Sequence, residues 1–289
     1  MQALEAAVAS SANPWPMRRE RAAELAERYP HAAEMLRLYQ ALTVVQETAF
    51  DEARAISPSS SGGAQGIFPS PSGGGQGGGS LDIAAFAVKE VLPGIIDVTV
   101  ATGPRALRDG VVALFAAADV KDVIRRWLNQ EPLSPFETYL ARASASPLLE
   151  ALTPHPDPPP QGGRETGNRC PNCDGLPQLS YFAVSGEALV SGPRYLVCSR
   201  CATNWVYSRM TCAGCGEATG TRLPIYQEQE RFPHVRVDGC QTCRKYLLTF
   251  DLRRDTRAIP VVDEIAAVPL DLYAIDRGFT KITPNLLGN

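Results

Sequence analysis

Residues 194–215 read RYLVCSRCATNWVYSRMTCAGC and contain two of the four Cys-x-x-C pairs of this chain. All eight cysteines of the 289-residue sequence lie in such pairs, and none precedes residue 170. The pairs are Cys170/Cys173, Cys198/Cys201, Cys212/Cys215 and Cys240/Cys243. Pairs of this kind are typical of metal sites, of dithiol redox sites or of disulfides.

The four pairs form a tandem repeat, because a shift of 42 residues superimposes the first two pairs on the last two. Twenty-four residues separate the inner cysteines in each copy. A four-thiolate site needs a tetrahedron of sulfurs about 2.3 Å from the ion, and two Cys-x-x-C turns joined by a hairpin supply one. The repeat therefore predicts two metal sites, the first formed by Cys170, Cys173, Cys198 and Cys201, and the second by Cys212, Cys215, Cys240 and Cys243.

The alternative interpretations of the cysteines are weaker. Residues 1–10 contain Glu5 and no basic residue, so no secretory signal is predicted, and disulfides are not expected in the cytoplasm. Thioredoxin-type dithiols occur singly, within a βαβ pattern that this sequence lacks. Four-thiolate sites accept zinc and iron alike, so the spacing leaves the metal open.

The sequence before residue 153 predicts an all-α domain, residues 1–152, with an insertion at 57–80. Ser, Gly and Pro occupy 19 of the 24 positions of that insertion, a composition typical of a flexible linker. Ser134 to Glu137 predict a capping-box helix start. The other predicted helices are Met17–Arg28, His31–Ala55, Leu81–Leu92 (ended by Pro93-Gly94), Pro104–Ala118, Val120–Asn129 and a short one from Ser146-Pro147 to Leu152.

The sequence after residue 152 has a different character. Residues 153–167 contain five prolines between Pro154 and Pro160, which predicts a stiff linker. Short runs rich in β-branched and aromatic residues surround the cysteines and predict strands. We therefore expect metal modules at 168–210 and 211–257 and a helical segment at 258–289. The predicted fold class is α+β multidomain.

Composition and charge exclude several functions. The longest apolar run, Val111 to Ala118, has eight residues against the ~20 that span a bilayer, so we expect no membrane span. The basic excess of residues 164–257 disappears once two metal centres of charge −2 are included, so no nucleic-acid partner is expected. His31, His155 and His234 are scattered, and we predict no catalytic residue and no enzyme.

The cysteine region resembles the formate dehydrogenase accessory protein FdhE family. The resemblance lies in the segment 194–201, in Asn204-Trp205 and in the Cys212 pair that follows. It continues through Cys240–Cys243 and into the carboxyl-terminal residues Val262–Ala266, Leu270–Leu272, Gly278-Phe279 and Pro284-Asn285. It implies two tandem rubredoxin-like or zinc-ribbon modules with the eight cysteines as ligands, and it favours iron over zinc.

The resemblance also implies a function. Members of the family are cytoplasmic, non-catalytic, chaperone-like maturation factors that contact the catalytic subunit of formate dehydrogenase before its export. We therefore expect that subunit as the partner. Two alternatives stay open: an iron-dependent electron-transfer or sulfur-handling protein acting on the same enzyme, and a zinc-ribbon protein that binds nucleic acid.

Overall fold

The structure is a computed structural model that describes residues 13–56, 81–153, 167–184 and 192–288. The described residues within 1–36 and 155–289 form one compact unit, and those within 37–154 form a second. The predicted insertion at 57–80 and most of the predicted linker at 153–167 lie outside the described residues. No helix in the described ranges is long and apolar enough to cross a membrane.

The part of the chain before residue 153 is helical where it is described, as predicted. A 3-10 turn at Pro30–Ala32 separates the first two helices, and the second helix buries Leu38, Leu42 and Ala49. The helices are α1 Trp15–Arg28, α2 Ala33–Ile56, α3 Ile83–Phe86, α4 Leu92–Thr102, α5 Arg105–Ala117, α6 Val120–Leu128 and α7 Pro135–Leu152.

Two predicted helix boundaries at prolines are wrong. Pro93 does not end a helix, because a π-helical turn at Ala87–Val91 links α3 to α4 and places Pro93 in the first turn of α4, where its missing N–H costs little. Pro147 does not start a helix either, since it lies inside α7. The capping box of α7 is confirmed: the Ser134 N–H donates to Glu137 Oε2 at 2.7 Å, and the Glu137 N–H donates to Ser134 Oγ at 3.4 Å.

A seven-stranded sheet follows in the described residues. Its strands are β1 Pro177–Phe182, β2 Arg194–Cys198, β3 Asn204–Tyr207, β4 Ile225–Gln227, β5 Val235–Gly239, β6 Lys245–Asp251 and β7 Thr280–Lys281. The order is β3-β2-β1-β6-β5-β4, with β7 paired to β6. The predicted fold class, a helical region followed by two cysteine modules, is confirmed.

The two repeats share this one sheet. Within each repeat the neighbouring strands are antiparallel, whereas β1 of the first repeat pairs in parallel with β6 of the second, with Ser180 opposite Thr249. The register places Ser180, Phe182, Arg194 and Arg236 on one face. The opposite face carries the large buried side chains Tyr246, Leu248 and Phe250.

Two short helices complete the unit that contains the sheet. Helix α8, Pro260–Ala266, packs against α1 and β1, and α9, Val268–Asp276, packs against β5 and β7. They lie within the helical segment expected at 258–289, which forms two helices because the chain turns at Ala267. Both cysteine quartets are positioned by strands of this unit.

Candidate metal centres

The first cysteine quartet lies where β1 begins and β2 ends. Cys170 and Cys173 precede β1, Cys198 is the last residue of β2, and Cys201 lies in the turn before β3. The Sγ–Sγ distances are 3.3 Å for Cys173–Cys198, 3.4 Å for Cys173–Cys201 and 3.7 Å for Cys170–Cys201. Each of the four side chains is at most 5% exposed, so this centre is closed to solvent.

The second quartet has the same topology and is more open. Cys212 and Cys215 precede β4, Cys240 follows β5, and Cys243 lies in the turn before β6. The Sγ–Sγ distances are 3.7 Å for Cys212–Cys243 and 3.8 Å for Cys215–Cys240. Cys212 and Cys240 are buried, whereas Cys243 is half-buried and Cys215 is exposed. Solvent therefore reaches one edge of this centre.

The geometry of both quartets fits one tetrahedral ion each. A tetrahedron of sulfurs at the metal–thiolate distance has edges of about 3.8 Å, close to the observed separations. None of the eight cysteines, all of them described, forms a disulfide. A Cβ at Gly175 would lie 3.0 Å from Cys198 Sγ, so only glycine fits at this position beside the sulfurs. The donor set suits zinc and iron equally.

The backbone turns around all four cysteine pairs are alike. In each, the residue after the second cysteine has a positive φ: Asp174 (56°), Ala202 (55°), Gly216 (79°) and Arg244 (57°). The turns are closed by amide hydrogen bonds such as Asp174 N–H to the Cys170 carbonyl at 2.9 Å. In the first pair Asp174 adopts this conformation, and the glycine that follows it, Gly175, instead lets the chain pass close to Cys198 Sγ.

Neighbouring groups donate to the sulfurs. The Arg200 N–H donates to Cys198 Sγ at 3.4 Å, and in the second repeat the Gly214 N–H donates to Cys212 Sγ at 3.3 Å. The buried Arg200 guanidinium donates to the Cys173 carbonyl at 3.2 Å and lies over the first centre. A positive charge beside a centre of charge −2 stabilises it. Cysteine spacing alone gave no signal for Arg200.

Burial makes two of the thiols harder to ionise in the absence of a metal. Burial raises the pKa of the Cys198 thiol well above its usual range, and burial also raises the pKa of Cys212. Hydrogen bonds from the other three sulfurs lower the pKa of Cys170. Because a metal ligand must be a thiolate, binding an ion releases protons, and its affinity falls at low pH.

A third group of candidate ligand atoms consists of His234, Asp255 and Asp263. The Arg21 guanidinium already fills it: Arg21 Nη2 lies 2.5 Å from Asp263 Oδ1 and 3.1 Å from Asp255 Oδ2. A guanidinium there leaves no place for a cation, and the group instead ties α1 to the region of α8. Sequence spacing could not find it, since Arg21 and Asp263 are 242 residues apart.

The two histidines among the described residues make separate contacts. His31 Nε2 lies 2.9 Å from the Ala266 carbonyl oxygen, and His234 Nε2 lies 3.5 Å from Asp263 Oδ1. His155 lies outside the described residues.

Comparison with known proteins matches the cysteine-bearing part of the chain to one family. The profile described as "FdhE, central domain" matches residues 169–209, and that described as "FdhE, C-terminal domain" matches residues 210–287. A "Protein FdhE homolog" of Aquifex aeolicus is 35% identical over 121 residues, which are 42% of this chain and 42% of that protein. One of Pseudomonas putida is 31% identical over 158 residues, covering 54% and 48%.

The matched segments thus span about half or less of the length of these relatives. The crystal structure of the FdhE protein from Pseudomonas aeruginosa aligns over 95% of both chains, with a TM-score of 0.62 and 22% identity. That likeness shows a shared fold.

Proposed function

From the match of residues 169–287 to the two domain models of the FdhE family, we propose that the chain is an accessory protein of formate dehydrogenase. It binds the catalytic subunit of that enzyme and supports its maturation. The role is non-catalytic and chaperone-like, and its place is the cytoplasm. The observation that carries the proposal is the pair of cysteine quartets inside the matched domains.

The eight cysteines are proposed as the ligands of two tetrathiolate ions. The family resemblance favours iron, and the sulfur separations suit zinc equally well. An iron ion would supply one-electron redox chemistry, whereas a zinc ion would only stabilise the fold. The chain's own part is the same with either metal. Its four turns bring the sulfurs together, and the sheet presents a rigid surface to a partner.

Binding and rescue test the proposed function. The anaerobically purified chain is used to pull down the formate dehydrogenase catalytic subunit, and formate oxidation is measured in cells that lack the accessory protein. We expect Cys201→Ser and Cys240→Ser to lose binding and rescue, because each removes a ligand of one centre. Ser208→Ala, close to both centres in sequence but not a ligand, is expected to keep both. An unmodified chain that fails to bind the subunit would contradict the proposal.

Metal replacement separates docking from redox chemistry. The zinc form should keep the fold, because zinc closes the same tetrahedron, and it should still bind the subunit, since docking needs shape rather than electrons. Rescue by the zinc form would exclude a redox role for the metal. Intact binding without rescue would instead favour the electron-transfer or sulfur-handling function. Metal content is measured before and after each assay.

A further inference from the structure

One face of the sheet carries four arginines, and three of them lie around a single phenylalanine ring. The guanidinium carbons of Arg209, Arg236 and Arg253 lie 4.7, 4.8 and 5.5 Å from the centre of the Phe182 ring. Arg194 is the strand partner of Phe182 and lies 3% exposed beneath this group. We call these four residues the arginine cluster.

The cluster is held by the sheet and not by a mobile segment. Arg194 lies in β2 and Arg236 in β5, while Arg209 and Arg253 directly follow β3 and β6. Arg194 donates to Ser180 Oγ at 3.1 Å and to the carbonyl oxygen of Thr211 at 3.2 Å. Two strands and the segments that follow two other strands thus hold the guanidiniums at one place, so an incoming ligand would not have to order them.

The positive charge of the cluster exceeds the negative charge near it. Asp238 pairs with Arg236 at 2.8 Å and with Arg194 at 3.3 Å, and Asp251 pairs with Arg253 at 2.6 Å. Among the described residues Arg209 has no carboxylate within ion-pair distance. Asp251 also lies 3.9 Å from Arg254. Among the described residues, the arginines of this face therefore outnumber the carboxylates paired with them and leave a surplus of positive charge.

This surplus acts on the cluster itself. Burial and the nearby charges of Arg253 and Arg236 lower the pKa of Arg209, and burial together with Arg236 lowers the pKa of Arg194. Such crowding of like charges is costly unless an anion compensates it. Arg253 is 40% and Arg236 25% exposed, so an anion from solvent can reach the cluster.

We propose that the arginine cluster is a binding site for a phosphate group. Guanidiniums match tetrahedral oxyanions through paired N–H donors. A phosphate monoester carries a charge of about −1.5 to −2 at neutral pH, so it compensates more of this positive charge than a single carboxylate does. This site uses none of the eight cysteines, and it does not rest on the proposed maturation role.

Isothermal titration tests the site with inorganic phosphate, pyrophosphate and a nucleoside diphosphate, added to the metal-loaded full chain at constant ionic strength set with chloride. We expect saturable binding at one site. Arg209→Gln should weaken it about tenfold or more, since it removes a charge-assisted donor. Metal content is measured before and after, because pyrophosphate also complexes metal ions.

Arg231→Gln is the matched control. Arg231 is an exposed arginine of the same unit, paired with Glu228 at 3.3 Å, and its guanidinium lies 5.9 Å from the Phe232 ring. Its substitution should leave phosphate affinity unchanged. Arg253→Gln is the second test variant, so that a folding defect in Arg209→Gln, checked by circular dichroism, still leaves a result.

The three ligands distinguish the source of the phosphate group. Equal affinity for all three would indicate free phosphate, and tighter binding of the nucleotide would indicate a phosphate carried by a small molecule. Either result supports the site. The proposal is overturned if none of the ligands binds saturably, or if Arg209→Gln and Arg253→Gln bind as tightly as Arg231→Gln.

Discussion

At the scale of single residues, each cysteine pair depends on the residue that follows its second cysteine. All four of these residues have a positive φ, and only Gly216 is a glycine. The left-handed conformation costs a non-glycine residue about 1–2 kcal/mol. Ala202 and Arg244 therefore hold strained backbone that the rest of their centres must stabilise.

Ala202→Gly should stabilise the metal-loaded protein. Glycine removes the strain at φ 55°, and the gain exceeds the roughly 0.4–1 kcal/mol of entropy that glycine adds to the unfolded chain. We expect a net increase of about 0.5–1 kcal/mol in the free energy of unfolding, measured by urea denaturation. Ala218→Gly, at an exposed position without positive φ, should lower it. Equal effects of the two substitutions would contradict the strain argument.

The two centres should differ in reactivity, because the sulfurs of the first are buried while Cys215 is exposed and Cys243 half-buried. A chelator should therefore remove one ion quickly and the second slowly. Iodoacetamide, followed by peptide mass spectrometry, should modify Cys215 and Cys243 first.

Variants assign the two phases of metal release. Cys240→Ser should abolish the fast phase and Cys198→Ser the slow one, each with the loss of about one ion per chain. Release of both ions in a single phase would show that the exposure of Cys215 has no chemical consequence.

The sequence located all eight sulfurs and their grouping, because spacing and a repeat offset are properties of order along the chain. It could not identify Arg200 as the side chain over the first centre, since its guanidinium reaches Cys173 across 27 residues. Nor could it separate the roles of Asp174 and Gly175. Either residue tolerates positive φ, and only the 3.0 Å approach to Cys198 Sγ explains why the second is glycine.

At the scale of elements, a buried charged group joins β7 to α8, α9 and β6. Lys281 Nζ lies 2.7 Å from Glu264 Oε1 and 3.0 Å from Asp271 Oδ1, and the Tyr246 hydroxyl donates to Asp271 at 2.9 Å. Gln178 of β1 donates to Glu264. One lysine thus serves two buried carboxylates.

Lys281→Met should strongly destabilise the unit that contains the sheet. It leaves Glu264 and Asp271 buried without their cation, a loss of about 3–5 kcal/mol. Burial already raises the pKa of both carboxyls, and removing the lysine raises these values further. When the pKa of a carboxyl is higher in the folded than in the unfolded protein, the folded protein loses stability as pH rises through that pKa.

The loss caused by Lys281→Met should consequently be larger at pH 8 than at pH 5, in urea denaturation at both values. Arg257→Met removes an exposed cation paired with Glu24 and should cost less than about 1 kcal/mol at either pH. A loss for Lys281→Met that does not change with pH would contradict the titration argument.

The ends of the helices were the part of the fold hardest to predict from the sequence. Pro93 and Pro147 each suggested an interruption, yet the chain remains helical through both. A π-helical turn just before Pro93 accommodates the proline ring. The local sequence does not predict such a turn. At Pro147, burial of most of α7, including Leu148 and Leu149, offsets the lost hydrogen bond.

At the scale of the whole molecule, the two repeats do not form separate ribbons, because β1 and β6 join them into one sheet. The 42-residue offset predicts two copies of a module but carries no information about which edges pair. The parallel β1–β6 contact depends on side chains such as Ser180 and Thr249, whose hydroxyl oxygens lie 2.6 Å apart. The repeat was therefore predictable from the sequence, whereas the pairing of β1 with β6 was not.

Metal removal should act on one unit more than on the other. The unit within 37–154 contains no cysteine, whereas the sheet depends on both centres. After chelation, hydrogen exchange should increase in β2, β5 and β6, while α4 and α7 keep their protection. Exchange in these segments is measured by mass spectrometry with and without metal. An equal increase in α7 would show that the helices depend on the metal.

The strand order also sets a sequence of events during synthesis. The first centre has all four ligands once residue 201 has left the ribosome, so it can take up its ion early. Strand β1 nevertheless keeps an open edge until residues 249–251 emerge to pair with it. For about fifty residues of translation the nascent chain therefore exposes an unpaired strand, the kind of edge that recruits other chains. A cell that makes this protein has reason to keep that interval short, or to shield the growing chain until β6 arrives.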